Sequence, residues 1–331
     1  MHEPSFWWRR AGLAAALLTP MAACYGTIAA RAMARKGRRA PVPVICVGNF
    51  TLGGAGKTPT TMSIARMLQA EGRTVCALTR GYGGRTVGPH RVDASADRAE
   101  RVGDEALLLA KVMPTIVARN RAAGAALAAA HGAEVIVMDD GLQNPSLAKD
   151  FTIAVVDGRR GIGNGRVFPA GPLRAPLDAQ LALTDALLAV GEGDLPQLVF
   201  SLAPRVPVYH GRLVPDVSAI RDLEGRRVLA FAGIGDPEKF FATARTAGLA
   251  VVRRKAFPDH HRFTAEEAAD LLTQAEREDL VLVTTEKDLA RMCGEPRLRT
   301  LAERVRVLPV TMEIAQQDDL RQRVLSALGR A

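Results

Sequence analysis

Gly53-Gly54-Ala55-Gly56-Lys57-Thr58 packs four small residues directly before a cation and a hydroxyl. Small side chains let backbone N–H groups curl around a phosphate, and a helix beginning at the last of them adds its positive dipole end. In such a loop Lys57 reaches the β- and γ-phosphates and the Thr58 hydroxyl binds Mg²⁺. Thr51 stands where the pattern GxxxxGK[ST] begins with glycine, so the phosphate-binding segment runs Thr51, Leu52, Gly53, Gly54, Ala55, Gly56, Lys57, Thr58. A loop of this kind needs acids at the end of a neighbouring apolar strand, and Val135-Ile136-Val137-Met138 runs directly into Asp139-Asp140-Gly141. One carboxylate can complete a Mg²⁺ shell while the other orients Lys57 or a substrate.

Three further strings carry ionisable groups. Gly103-Asp104-Glu105 opens a helix, where Asp104 suits an N-cap and equally suits the carboxylate that accepts a proton from an attacking hydroxyl. Asp259-His260-His261 has no third metal ligand in view, and a histidine shared with a carboxylate from elsewhere makes a better base than either group alone. Thr79-Arg80-Gly81-Tyr82-Gly83-Gly84 follows a strand end, the side of a parallel sheet that faces ligands. There Arg80 can clamp an anion and Tyr82 can touch it, or the string is a plain glycine turn.

Elements that hold these groups read as alternating strands and helices. Val42–Val47, Arg73–Leu78, Thr115–Val117, Val135–Met138 and Thr152–Val156 are apolar strand runs. Between them, Thr58–Ala70, Asp104–Val112 and Asn120–His131 read as helices. Such alternation predicts a mostly parallel sheet covered on both faces. A Gly/Pro-rich loop from Gly158 to Pro172 is longer than a connection requires. After a Pro-punctuated stretch, Leu195 to Pro215, alternation restarts. Strands are expected at Val228–Ala232, Leu249–Val252, Leu280–Val283 and Val305–Val310, with helices at Pro237–Ala247 and Ala265–Ala275. The expected division is an N-terminal helical arm over 1–40, a P-loop nucleotide-binding domain over 41–215 and a smaller α/β domain over 216–331.

The 331 residues carry a net charge of +9, which invites a nucleic-acid reading until the charge is located. Residues 1–40 hold seven basic side chains against Glu3, a net +6, and leave +3 for the other 291 residues. The body is near neutral, so nucleic acid is not needed to explain the total. Cys24, Cys46, Cys76 and Cys293 lie far apart, giving neither a disulfide framework nor a zinc site, and fit a reducing cytoplasm. Ala11 to Ala30 is an uncharged run of 20 residues, eight of them alanine, broken by Pro20. Arg9-Arg10 and Met21-Ala22-Ala23-Cys24 resemble an export signal, but a nucleotide loop belongs where ATP is. A pair of core helices, the second capped by Thr19, is one alternative. The other is a membrane-surface helix, with Leu13, Leu17, Met21, Cys24 and Ile28 forming a stripe between Trp7-Trp8 and the Arg31–Arg39 cluster.

In order along the chain, the motifs resemble the tetraacyldisaccharide 4′-kinase family of lipid A biosynthesis. The strings are Pro41-Val42-Pro43-Val44 through Val47-Gly48-Asn49, Gly53 to Pro59, Arg80 to Gly84, Gly103-Asp104-Glu105 and Asp139-Asp140-Gly141-Leu142-Gln143. They continue through Pro169-Ala170-Gly171-Pro172-Leu173-Arg174, Ala232-Gly233-Ile234-Gly235, Asp259-His260 and Thr285-Glu286-Lys287-Asp288. The resemblance implies an α/β, P-loop NTPase-like domain with a second smaller domain and a membrane-associated helix. It implies ATP and Mg²⁺ as co-substrate and cofactor, and an acylated glucosamine disaccharide 1-phosphate as acceptor at the cytoplasmic face of the inner membrane. It further implies that Asp104 and His260 form the proton-accepting pair. Glu105, Asp139 and Asp140 then belong to the metal and phosphate shell, and Asn49, Arg80, Tyr82, Gln143 and Arg174 to substrate. Asn144 departs from the histidine many relatives carry after Gln143. A switch GTPase is a rival, but Thr285-Glu286-Lys287-Asp288 spoils the guanine-reading spacing; a membrane-tethered ATPase acting as an assembly factor is the other.

Overall fold

The computed structural model describes residues 3–191 and 206–329, so positions 195–205 of the Pro-punctuated stretch lie outside the described residues. Nine strands form the large sheet: β1 (Val44–Asn49), β2 (Val75–Thr79), β3 (His90–Arg91), β4 (Thr115–Val117), β5 (Val135–Asp139), β6 (Phe151–Asp157), β7 (Ala186–Val190), β8 (Val208–Pro215) and β13 (Val310–Ile314). Their spatial order is β13-β8-β7-β6-β1-β5-β2-β4-β3, parallel throughout except for the antiparallel edge pairs β8–β13 and β3–β4. β1, β5 and β6 are buried along their whole length. That is what unbroken β-branched and aliphatic runs achieve when helices cover both faces. From β1 the chain builds outward in both directions, and a crevice opens beyond the strand ends at such a reversal.

Helices Lys57–Ala70, Asp104–Ala110 and Gln317–Leu328 cover one face, burying Ile64, Leu68, Leu109, Leu320 and Val324. Helix Arg121–Ala130, capped by Asn120 accepting from the Ala123 N–H at 3.2 Å, covers the other face with Ala125 and Ala128. Each such aliphatic side chain contributes about 1.5–3 kcal/mol for the larger residues. A second sheet, all parallel, has the order β10 (Ala250–Ala256), β9 (Arg227–Ala232), β11 (Val281–Thr284), β12 (Arg306–Val307). Helix Pro237–Thr246 packs Phe240, Phe241 and Ala244 on one side, and helix Ala265–Glu278 packs Ala268, Leu271 and Ala275 on the other.

Two expectations change. The run Val305–Val310 is not one strand, because Pro309 lacks the N–H a ladder needs; β12 ends before it and β13 begins after it, in a different sheet. The stretch 216–331 is therefore not one continuous block. Met312, Ile314, Leu320 and Val324 bury against the large sheet's core, which returns the chain's last described segment to the first domain. β7 and β8 are additional strands: Ala186-Leu187-Leu188-Ala189 lacks the β-branched signature, and Val208–Pro215 contains Gly211.

The arm folds as a 3₁₀ turn (Ser5–Trp8) and helices Leu13–Leu17 and Thr19–Met33. Thr19 is not a cap; it is the first helical residue, and its hydroxyl donates back to the Ala15 carbonyl at 2.9 Å. Trp7 is buried, donating its indole N–H to the Pro169 carbonyl at 3.0 Å and meeting Phe168 edge to face. That removes Trp7 from any interfacial role and explains the long loop: residues 158–172 are the seat on which the arm docks, with Asn164 N–H donating to the Trp7 carbonyl at 2.7 Å. The small side of the second helix, Ala22 and Gly26, faces Val167 and Pro176. Away from that contact, Leu13 and Leu17 of the first helix and Met21 and Ile28 of the second stay exposed at 86%, 81%, 62% and 68%. Among the described residues no helix is long and apolar enough to cross a membrane.

Candidate active site

The phosphate loop leaves β1 and enters helix Lys57–Ala70, as its strand–loop–helix spacing requires. Gly53 and Gly56 adopt φ of +96° and +91°, the left-handed region open to glycine at little cost. Lys57 is buried, with Nζ 3.5 Å from the Gly53 carbonyl and 3.9 Å from Asp140 Oδ1. Burial lowers its pKa, helped by the Arg174 charge and opposed by Asp140. Thr58 Oγ1 lies 3.5 Å from Asp139 Oδ2, while Thr61 donates to Asp139 Oδ1 at 2.8 Å. Burial, and then the Glu105 and Asp140 charges, push the Asp139 pKa upward. Asp140, at φ +53°, turns outward instead and takes Arg174 Nη1 at 2.6 Å. Burial would raise its pKa too, but Lys57 and Arg174 hold it below the usual carboxylate range. Two adjacent acids thus differ in kind, a dry acceptor facing a hydroxyl and an ion held by two cations.

Asp104 and His260 come from different sheets' domains and meet at the cleft, His260 Nδ1 lying 3.5 Å from Asp104 Oδ2. Asp104 is not the N-cap: Gly103, at φ +90°, holds that position, and Asp104 Oδ1 accepts from the Glu105 N–H at 2.9 Å. Burial opposes its ionisation; the His260 hydrogen bond and the charges of Arg291 and Lys287 overcome that and hold the carboxyl far below its ordinary range. His260 adopts φ +54°, one of three non-glycine residues with positive φ among the described residues, and Asp140 is another. Positive φ at such residues is costly and is retained where surrounding packing fixes it, often at functional sites.

The cleft between the domains, about 330 Å³, is lined by Gly53 to Thr58, Glu105, Asp140 and Arg174 from one side and by Gly235, Phe240, His260 and Lys287 from the other. Not every expected residue reaches it. Asn49 is fully buried beneath the loop, donating to the Thr51 and Gly53 carbonyls at 2.7 and 3.3 Å, and Gln143 donates to the Asn49 carbonyl at 2.8 Å. Both shape the loop from below. Arg80 is exposed and does not line the cleft, whereas Tyr82 does and packs on His260 at 4.8 Å between ring centroids. Glu105, expected near a metal, accepts from Lys287 Nζ at 2.8 Å. Asn144 accepts from the Ser146 N–H at 2.9 Å, a local turn. Sequence reasoning misses Arg121, buried with Nη1 donating to the Ala118 carbonyl at 2.7 Å. Burial lowers the Arg121 pKa to about 10 despite the Asp140 and Asp139 charges. It also misses Arg291, on Asp104; no local pattern singles out either arginine.

A family model described as tetraacyldisaccharide-1-P 4′-kinase matches residues 14–329. Tetraacyldisaccharide 4′-kinases of Nitrobacter hamburgensis and of Methylobacterium sp. strain 4-46 are 52% and 53% identical to this chain, each match covering 100% of it and 99% of the relative. The solved structure of Aquifex aeolicus LpxK, titled an "apo" form in complex with ATP, is 27% identical with a TM-score of 0.73, covering 95% of this chain and 99% of that one. Its fold is thus that of a P-loop kinase with an added small α/β domain, and the match in sequence runs almost from end to end. On both grounds the chain belongs to the tetraacyldisaccharide-1-phosphate 4′-kinase family.

Proposed function

We infer that this protein transfers the γ-phosphate of ATP to the 4′-hydroxyl of a tetraacylated glucosamine disaccharide 1-phosphate, the reaction for which its family is named. One observation carries the reading: the phosphate loop and His260, with Asp104 3.5 Å behind it, face a single cleft. Apolar Met62, Phe240 and Leu308 line the same cleft and suit a nucleobase. Lys57 and the loop amides neutralise the β- and γ-phosphates, and charge neutralisation with positioning is most of what phosphoryl transfer requires. Asp104 faces Nδ1 of His260, which leaves Nε2 to take the proton of the acceptor hydroxyl. The hydroxyl oxygen then attacks the γ-phosphorus in line, and ADP leaves with the bridging electron pair.

Thr58 and Asp139 would hold Mg²⁺; their oxygens face one another beside the loop, and Asp139 is an oxygen donor kept dry. Among the described residues no three His, Cys, Asp or Glu groups converge. That suits an ion which keeps waters and phosphate oxygens in its shell. When bound, it would neutralise charge on the transferred phosphate.

Radiolabelled ATP incubated with a tetraacyl disaccharide 1-phosphate in detergent is expected to label the lipid, with little phosphate release in its absence. Folded protein that hydrolyses ATP but leaves the lipid unlabelled would instead support the assembly-factor ATPase. The acceptor is amphiphilic and anionic, and the exposed stripe of the arm with its arginines suits the cytoplasmic surface of the inner membrane. Leu13→Glu with Leu17→Glu should release the protein from anionic vesicles at least about tenfold, given ~0.8 kcal/mol per buried methylene. Both side chains are exposed, so melting should be unmoved; equal vesicle binding by the variant would refute the arm as the contact.

A further inference from the structure

The string Thr285-Glu286-Lys287-Asp288 has no place in the chemistry above, yet it opens a helix, Glu286–Met292, that lies against Asp104 and Glu105. Thr285 caps it, accepting from the Asp288 N–H at 3.2 Å and donating to Asp288 Oδ2 at 2.6 Å. Asp288 is fully buried and accepts from the Gly233 N–H at 3.0 Å, which ties the helix to the end of β9. One turn on, Arg291 is held by its own domain through Nη1, to the Gly233 carbonyl at 2.6 Å and to Asp288 Oδ1 at 3.1 Å. Its Nε then crosses the cleft to Asp104 Oδ2 at 2.7 Å, the same oxygen that faces His260. Lys287, on the same helix, takes Glu105.

We propose that Arg291 is a positioning residue for the proton-accepting pair: anchored on the second domain, it fixes the Asp104 carboxylate against His260, so the base is complete only when the domains are closed. This rests on the reading of Asp104 and His260 as that pair. The guanidinium fork is bound on one edge to its own domain and presents the other edge; an ammonium keeps the charge toward Asp104 but reproduces this two-edged grip only in part. Both Asp104 oxygens are thereby occupied, Oδ1 by the Glu105 N–H and Oδ2 by Arg291. Arg291 also lines an open cleft of about 630 Å³ beside Asp104 and His260, so a small cation can reach its place.

The test compares Arg291→Ala, Arg291→Lys and Arg291→Gln in lipid phosphorylation, with ATP affinity measured directly by calorimetry. Arg291→Ala should lose roughly 10- to 100-fold in kcat, as supporting residues of a catalytic group do, with ATP affinity within about threefold. Methylguanidinium should restore several-fold of that loss in Arg291→Ala and none in Asp104→Ala. Arg291→Lys should exceed Arg291→Gln if the alanine variant does not fold. Arg262→Ala removes a different cross-domain pair, with exposed Glu100, and should change kcat less than about twofold. Parallel losses of kcat and ATP affinity without rescue, or equal turnover of the Lys and Gln variants, would overturn the proposal and leave Arg291 a domain staple. Near-normal turnover of Asp104→Ala would overturn the underlying reading instead.

Discussion

Asp104→Ala is expected to lower kcat by roughly 10²- to 10⁴-fold while ATP still binds, the range a positioned acid or base supplies. Its carboxylate is buried, and both oxygens are engaged, one by the Glu105 N–H and one by Arg291 with His260 3.5 Å away. A water entering from the adjoining cleft could fill the space but would not carry the fixed negative charge that the His260 ring and the Arg291 guanidinium face. Loss of the carboxylate frees His260 to rotate and leaves Nδ1 without the acceptor that sets its tautomer. It also takes from Arg291 one of its two carboxylate partners, leaving it the Asp288 carboxylate and the Gly233 carbonyl. Asp104→Asn keeps the shape and is the safer second variant. Single-turnover transfer to lipid and equilibrium nucleotide binding, measured side by side, separate chemistry from folding. Turnover close to that of the unaltered protein would reduce Asp104 to a structural residue of its helix's first turn.

Lys57→Met should abolish transfer by a comparable factor, about 10²- to 10³-fold in kcat for removal of one preorganised charge. Lys57 is held between the Gly53 carbonyl and Asp140, buried and already stripped of water, so its charge acts through a low dielectric. The fold should survive, since Asp140 keeps Arg174 at 2.6 Å and methionine fills the same stem. Circular dichroism and melting check that point. If the methionine variant phosphorylates lipid at near the original rate, the loop does not hold the transferred phosphate.

The legible part of this protein is local. A strand, a glycine loop and a helix beginning at Lys57 follow from an apolar run, residues that tolerate positive φ, and an abrupt change of period. The acids at the end of β5 are visible for the same reason. Where side chains point is less legible. Asn49 and Gln143 sit in matching motifs, yet both spend their amides beneath the loop, because buried backbone carbonyls must be paired. Trp7 looks like an interfacial residue and is a buried plug, because the long loop after β6 offers its indole a carbonyl acceptor.

By itself, then, the sequence determined the phosphate loop, its Lys57 and Thr58, the acidic strand end and the charge-rimmed apolar stripe of the arm, all encoded within a few turns or strand residues. Local sequence left the partner of Asp104 open and only the family resemblance implied His260; the tertiary structure puts the two 3.5 Å apart and alone decided that Arg291, 187 residues away, holds Asp104. It also decided that Asp139 and Asp140 part into a dry acceptor and a bound ion, and that the chain returns through β13 to the first sheet. These contacts join residues with no shared local period, and only the packing of two sheets across one cleft brings their charges within reach.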